Sequence, residues 1–289
     1  IDDDLLNIPP EIGEAKHKAH NKPARLEAVS TLLTGATLVY CSTPALKKRF
    51  RALGFTTPMV SGQIYCASRI YRAGTPGPVR RIGYMGFDHA HDFETALPAL
   101  ETYLDAHPEV EFELFGSIPV PKSLKRFGAR IHTVAPVRNY QEFRQELANR
   151  AWDFGICPLA YTPFNSVKAN TKWVEYTSSG MAVIATRGMV YDACAGEGRG
   201  LLVSPDEWGA AFELLTRDHD LRYRMILQAQ VHLARYYSDE RLRQQITDVF
   251  AQARAIRAAT AELEANASNR CPPALIDAEG LISLPADSG

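Results

Sequence analysis

The stretch DFGICPLAYTPFNSVKANTKWVEYTSSGMAVIAT, residues 153–186, contains two short, largely apolar runs, Asp153 to Pro158 and Ala182 to Thr186. Between them lies an amphipathic segment long enough for a helix. Short apolar runs fenced by Pro and Gly read as buried strands. Two such strands joined by a helix must pair in parallel, because a parallel neighbour needs a crossover connection.

The same alternation extends in both directions. Strands are expected at residues 81–85, 111–115, 130–134 and 200–204, with helices at 93–106, 123–127 and 140–149 and long helices from 207 onward. Pro98 sits inside the first of these helices, where it removes a backbone hydrogen bond and is expected to kink it. The segment from 24 to 68 reads helix, strand, helix, strand. Residues 72–78, RAGTPGP, concentrate Gly and Pro where neither element can continue. The fold class is α/β, a Rossmann-like parallel sheet with helices on both faces. It is divided into residues 1–71, a linker at 72–80, a main domain at 81–265 and an extended tail at 266–289.

Bulk composition excludes several classes. With 289 residues, 46% of them hydrophobic, the chain can bury a substantial core. A net charge of −1 leaves no global basic field for nucleic acid or an anionic membrane, so a nucleic-acid partner is not expected. No apolar run is long enough for a transmembrane segment and the sequence does not open on a basic-then-apolar stretch, so a cytoplasmic location is expected. The five cysteines lack a CxxC pair, consistent with a reducing compartment and no zinc knuckle. The chain opens on Ile1, as a fragment of a longer protein would.

In open α/β sheets, ligands bind beyond the carboxyl ends of the strands. Three junctions there carry candidate groups. Gly86 and Phe87 close the 81–85 strand, and Gly116 closes the 111–115 strand. At each, a missing Cβ suits a tight turn or a close approach to phosphate. The third junction brings Asn165, Lys168, Lys172 and Glu175 at spacings of 3, 4 and 3, expected to fall along one helical stripe. An ammonium there can neutralise diphosphate oxygens, and a carboxylate can accept both ribose hydroxyls. The spacing alone equally describes an exposed Lys172–Glu175 pair on a solvated helix.

Residues 81–222 resemble the C-terminal domain of GT-B glycosyltransferases of family 4. The resemblance rests on an apolar strand ending in Pro158-Leu159, then Phe164-Asn165, Lys168, Lys172, Glu175-Tyr176, Gly180 and the Val183-Ile184-Ala185 strand. The opening ten residues look like a segment late in the N-terminal domain of such enzymes, so residues 1–71 would be its remnant. The resemblance implies retaining, metal-independent transfer of a sugar from a nucleoside diphosphate sugar to a glycan, lipid-linked or protein acceptor, with no other cofactor. The missing N-terminal domain of the parent protein would then be a partner.

In the family's E-x7-E motif the second Glu matches Glu175, whereas the first falls on Val167. The Arg and Lys that usually follow the first strand are absent between Gly86 and Phe93, and Lys168 and Lys172 stand in for them. These departures keep a second reading open, a non-catalytic nucleotide-binding or assembly module derived from such an enzyme.

Other motifs read as structural. Residues 88–92, DHAHD, pack four possible metal ligands without a distant partner, so no metal is expected and Asp92 is assigned to helix capping. The acidic run 2–4 is assigned to a surface or interdomain position, and the glycines of 196–200 to a turn. Arg217, Arg222, Arg224 and Arg235 alternate with acids as on a solvated face, Cys157 and Cys194 read as buried, and the Asn266 glycosylation pattern reads as coincidental.

Overall fold

The computed structural model describes residues 1–64, 69–87 and 89–270, with side chains as far as Asn266. Tyr65 at the expected end of a strand, Asp88, Cys66, Cys271 and the apolar run at 281–284 lie outside the described residues.

The first 64 residues build a small unit. Helices α1 (Glu14–His20) and α2 (Pro23–Gly35) precede strand β1 (Val39–Cys41), helix α3 (Pro44–Ala52) and strand β2 (Met59–Ser61). The two strands pair in parallel, Val39 opposite Met59. Helix α3 starts where it does because the Thr43 hydroxyl accepts from the Leu46 N–H at 3.0 Å and Pro44 occupies the first helical position. Its Leu46 and Phe50 are fully buried against Leu33, Val39, Cys41 and Met59.

The larger unit is a six-stranded, all-parallel sheet: β3 (Arg81–Gly86), β4 (Glu111–Gly116), β5 (Ile131–Val134), β6 (Phe154–Cys157), β7 (Ala182–Thr186) and β8 (Leu201–Val203). The spatial order is β5-β4-β3-β6-β7-β8. Side chains alternate across it as the pleat requires. Ile82, Tyr84, Phe112, Leu114, Phe154, Ile156, Ala182 and Ile184 share one face with helices α5 (Leu97–Ala106) and α9 (Trp208–Arg217). Met85, Phe115, Cys157, Val183 and Ala185 share the other with α6 (Tyr140–Arg150), α7 (Thr171–Ser178) and α10 (His219–Tyr236). Gly83 and Gly155 are register partners on that second face. A Cβ on Gly155 would lie 2.6 Å from the Tyr176 ring, and one on Gly83 would collide with Trp152. The two missing side chains are therefore the space that two large aromatics fill.

Four expectations need correction. The predicted 93–106 helix is two helices, α4 (Ala90–Glu94) and α5, and Pro98 lies in the first turn of α5, where its absent N–H has no partner to lose. Arg222 is not on a solvated face: it is 1% exposed, and its guanidinium donates to the carbonyls of Leu215 and Gly77, pinning the linker to α9. Asp4, expected at a surface or interdomain position, is fully buried within the small unit, with Arg49 Nε donating to it at 2.9 Å. The final helix, α11 (Asp239–Arg270), runs past Asn266, where an extended tail was expected, because residues 239–270 contain neither Gly nor Pro to stop it. Among the described residues no helix is long and apolar enough to cross a membrane.

Candidate functional site

The strand order reverses between β3 and β6, and there the sheet opens. These strands pair only at Ile82–Phe154 and Gly83–Gly155. Beyond that point the buried Tyr176 hydroxyl replaces the ladder, accepting from the Met85 N–H at 2.8 Å and donating to the Ile156 carbonyl at 3.4 Å. A crevice at such a reversal is where open α/β sheets hold ligands.

Polar groups gather at its mouth. Asp92, 4% exposed, accepts from the Ala160 N–H at 2.9 Å and from Asn165 Nδ2 at 2.6 Å through one oxygen. Its other oxygen lies 3.1 Å from His89 Nδ1 and 3.9 Å from Lys168 Nζ. Lys168 Nζ is in turn 3.3 Å from His89 Nδ1. Burial would raise the Asp92 pKa, but the His89 contact, the Ala160 N–H and Lys168 outweigh it and hold the carboxyl below its ordinary value. Burial lowers Lys168 to about 8 despite Asp92, and lowers His89 to about 4, leaving the imidazole neutral at pH 7. Asp92 is thus a buried hub rather than the expected helix cap; the N-terminus of α4 has no side-chain cap.

The expected single stripe of four residues does not form. Asn165 belongs to a 3-10 turn, Asn165–Val167, the chain extends at Lys168 (ψ 163°), and α7 begins only at Thr171. Asn165 and Lys168 nevertheless converge on Asp92 through that turn. Lys172 and Glu175 occupy successive turns of α7, with the Lys172 ammonium 5.8 Å from the centroid of the Tyr84 ring.

Glu175 is 5% exposed, so the solvated-pair reading of this helix is excluded. Burial pushes its carboxyl up to about 7, with Lys172, Arg144 and a hydrogen bond from Tyr140 partly opposing the rise. The Arg144 guanidinium lies 4.7 Å from the Tyr71 ring centroid and 5.8 Å from that of Tyr140. Tyr140 and Arg144 therefore flank the Glu175 carboxyl, with Tyr71 stacked on the Arg144 guanidinium, and nothing in their sequence spacing marked them.

Gly86 and Gly116 have a packing reason of their own. They are register partners, and Gly116 (φ 131°) lies so close to the Gly86 carbonyl that a Cβ would overlap it. A Cβ on Gly86 would come within 2.6 Å of Ile118. Phe87, just past β3, is 44% exposed. His89 and Asp92 were set aside in the sequence as weak metal ligands. The overlooked signal was an acid one residue before Phe93, in a segment whose neighbours are core. Among the described residues no group of three or more His, Cys, Asp and Glu side chains is placed to hold a metal, and Asp88 is outside them.

Between the two units opens a cleft of about 1090 Å³. Its walls come from residues 42–45 and 60–63, from Lys168 and Asn170, from residues 188–190 after β7, and from α10 and α11. Of the candidate residues only Lys168 lines it directly. Lys172 and Glu175 lie on α7, and the two glycines at the ends of β3 and β4.

A parallel sheet of this order, covered by helices on both faces and open at the reversal point, is the Rossmann-like half of the GT-B fold. No family model matches the chain, and no curated protein matches it in sequence. Solved structures do match. HepE of Anabaena, determined in complex with UDP and glucose, superposes with a TM-score of 0.66 at 15% identity, over 86% of this chain and 70% of its own. TarM of S. aureus, determined with fondaparinux, α-GlcNAc-glycerol and UDP, gives 0.63 at 12% identity over 78% of this chain. Sucrose-phosphate synthase from Thermosynechococcus elongatus gives 0.61 at 17% over 84%. The chain spans 46% of TarM and 66% of the synthase. At these identities the likeness is one of fold.

Proposed function

We propose that this chain is the donor-binding part of a cytoplasmic, family 4-type glycosyltransferase that transfers a sugar from a nucleoside diphosphate sugar with retention. The observation that carries the reading is the buried Glu175 carboxyl beside Lys172 at the reversal point of the sheet. A carboxylate has four lone-pair positions, so Glu175 can accept the two vicinal hydroxyls of a ribose beside the Tyr140 hydrogen bond it already receives. One helical turn earlier, the Lys172 ammonium offsets the charge that gathers on the diphosphate as the glycosidic C–O bond breaks. The diphosphate keeps the electron pair, and the acceptor oxygen bonds to the anomeric carbon as it loses its proton. Lys168 takes a supporting part: its charge is already balanced by Asp92, so it holds the 160–168 loop in place. Support also comes from the bound UDP of HepE and TarM.

Val167 favours the second reading, a nucleotide-binding module without transfer. Where the family places a sugar-contacting Glu, Val167 is 4% exposed and packs with Leu46 and Phe50. Calorimetric titration with UDP, GDP and ADP tests the donor site. One nucleotide is expected to bind saturably, and Lys172→Ala or Glu175→Ala to weaken it at least tenfold, about 1.4 kcal/mol. Absence of binding to all three, or binding indifferent to both substitutions, overturns the reading. Release of free nucleotide from the matching sugar nucleotide, measured with and without acceptor, separates enzyme from module.

A further inference from the structure

The glycine-flanked turn at residues 196–200 and the outer face of α10 enclose a second cavity, of about 490 Å³, that the donor reading leaves unused. Its size falls within the roughly 300–1,000 Å³ that small-ligand sites occupy. Two of its lining residues rest on α7: the Arg199 carbonyl accepts from Trp173 Nε1 at 3.2 Å, and the His232 ring meets the Trp173 ring edge-on at 5.9 Å. Leu227 and Val231, 41% and 69% exposed, supply an apolar wall.

The polar lining is arranged for an anion. Arg199 Nε and Nη2 donate to the carbonyls of Cys194 and Ala193 at 2.8 and 3.0 Å, which fixes the guanidinium in place. Its Nη1 donates to Glu197 at 2.5 Å. The Glu197 side chain is 84% exposed, so a ligand of higher charge can displace it at little cost. Gln228, His232 and Arg235 make no hydrogen bond among the described residues, and the Arg235 guanidinium lies 5.2 Å from the Tyr236 ring centroid. Burial first, then Arg199 and Arg235, lower the His232 pKa against the opposing Glu197, so the imidazole is neutral at pH 7. A neutral ligand gains little from two guanidinium groups, and an anionic bilayer would meet the exposed Glu197 charge.

We propose that this cavity binds a small organic phosphate, with the phosphate held between Arg199 and Arg235 in place of Glu197 and an apolar substituent against Leu227 and Val231. The site rests on its own lining and does not depend on the glycosyltransferase reading. A dianion beside His232 favours the imidazolium, so binding near pH 7 takes up a proton.

The experiment is calorimetric titration of the full chain with phenyl phosphate at pH 7, in two buffers of different ionisation enthalpy. Phenol, UDP competition and sedimentation with phosphatidate-containing vesicles run beside it. Glu197 and Arg235 are exposed, so Glu197→Gln and Arg235→Gln leave the fold intact. Phenyl phosphate is expected to bind saturably and phenol not at all. Glu197→Gln should tighten binding about threefold by removing the competing carboxylate. Arg235→Gln should weaken it about tenfold. The enthalpy should differ between the buffers, and His232→Gln should abolish that difference. No saturable binding, binding indifferent to both the Glu197 and Arg235 substitutions, or binding to vesicles alone overturns the proposal. Displacement of phenyl phosphate by UDP, or its loss in Lys172→Ala, would place the probe in the donor site and overturn it as well, while leaving the donor reading intact.

Discussion

Replacing Glu175 with Gln tests the buried carboxyl through its proton. The folded-state pKa is raised to about 7 from an ordinary 4.5, chiefly by burial. Between those two values the folded chain binds more protons than the unfolded chain, so stability must fall as pH rises. Below about pH 4.5 the carboxyl is neutral in both states and costs nothing. Above about pH 7 it is charged in both, and the cost of a buried charge is fully present. Two and a half units at about 1.4 kcal/mol per unit amount to about 3 kcal/mol. Gln keeps the shape and the hydrogen-bonding capacity but removes the titration. Urea unfolding of both proteins from pH 4.5 to 8 is the assay, and the difference between them isolates this one group from everything else that titrates. The variant's advantage is expected to grow by about 3 kcal/mol across the window. Parallel stability curves, agreeing within about 0.5 kcal/mol, would refute the reasoning by placing the carboxyl in contact with solvent. If ribose is the ligand, wild-type UDP affinity should also strengthen through pH 7 as the acceptor carboxylate forms.

Three further outcomes follow from packing and charge. Tyr176→Phe leaves the Met85 N–H buried without its acceptor and should cost about 1–3 kcal/mol in urea unfolding, with no change expected in the secondary-structure signal. A loss below about 0.5 kcal/mol would mean that water reaches the gap between β3 and β6. Gly155→Ala forces a Cβ against the Tyr176 ring and should cost about 1–3 kcal/mol by overpacking; a neutral result would show that the ring moves freely. Asp92→Ala removes the partner of Lys168 and should cost about 3–5 kcal/mol, part of which returns when Lys168→Met is added. Strict additivity of those two substitutions would show that the pair is not coupled.

The architecture was readable because the strands advertise themselves. Runs such as Phe154 to Cys157 and Ala182 to Thr186 are short, apolar on both faces and fenced by Gly or Pro. Boundaries failed where a residue had two local meanings. Pro98 inside a periodic stretch reads as a kink, yet Pro is equally at home in the first turn of a new helix. The spacing of Asn165, Lys168, Lys172 and Glu175 matches a helix, but turn and helix share it, and only the extended backbone at Lys168 tells them apart. Arg222 had the neighbours of a surface residue, and its burial depends on carbonyls of Gly77 and Leu215 that sequence spacing does not reveal. At the site, Glu175 was legible by its distance from Gly180. Tyr140, Arg144, His89 and Asp92 were not, since the first two reach α7 from the helix before β6 and the last two reach Lys168 from the segment after β3.

Gln245 on α11 donates to the Gln63 carbonyl and the Tyr40 hydroxyl and accepts from the Gln63 N–H. The chain therefore passes from the small sheet to the large one through the linker and returns to it through α11. A body joined to another by one strand can swivel about any direction, but two separated attachments leave a single axis, as two pins do for a door. Motion about that axis is opposed on the far side by the Thr43 hydroxyl bonded to the Val167 carbonyl at 2.8 Å, and by Phe164 seated between Ile8 and Ile12. Together with Val167, packed with Leu46 and Phe50, those contacts are the latch. Substitutions there should change how often the cleft stands open without altering either sheet.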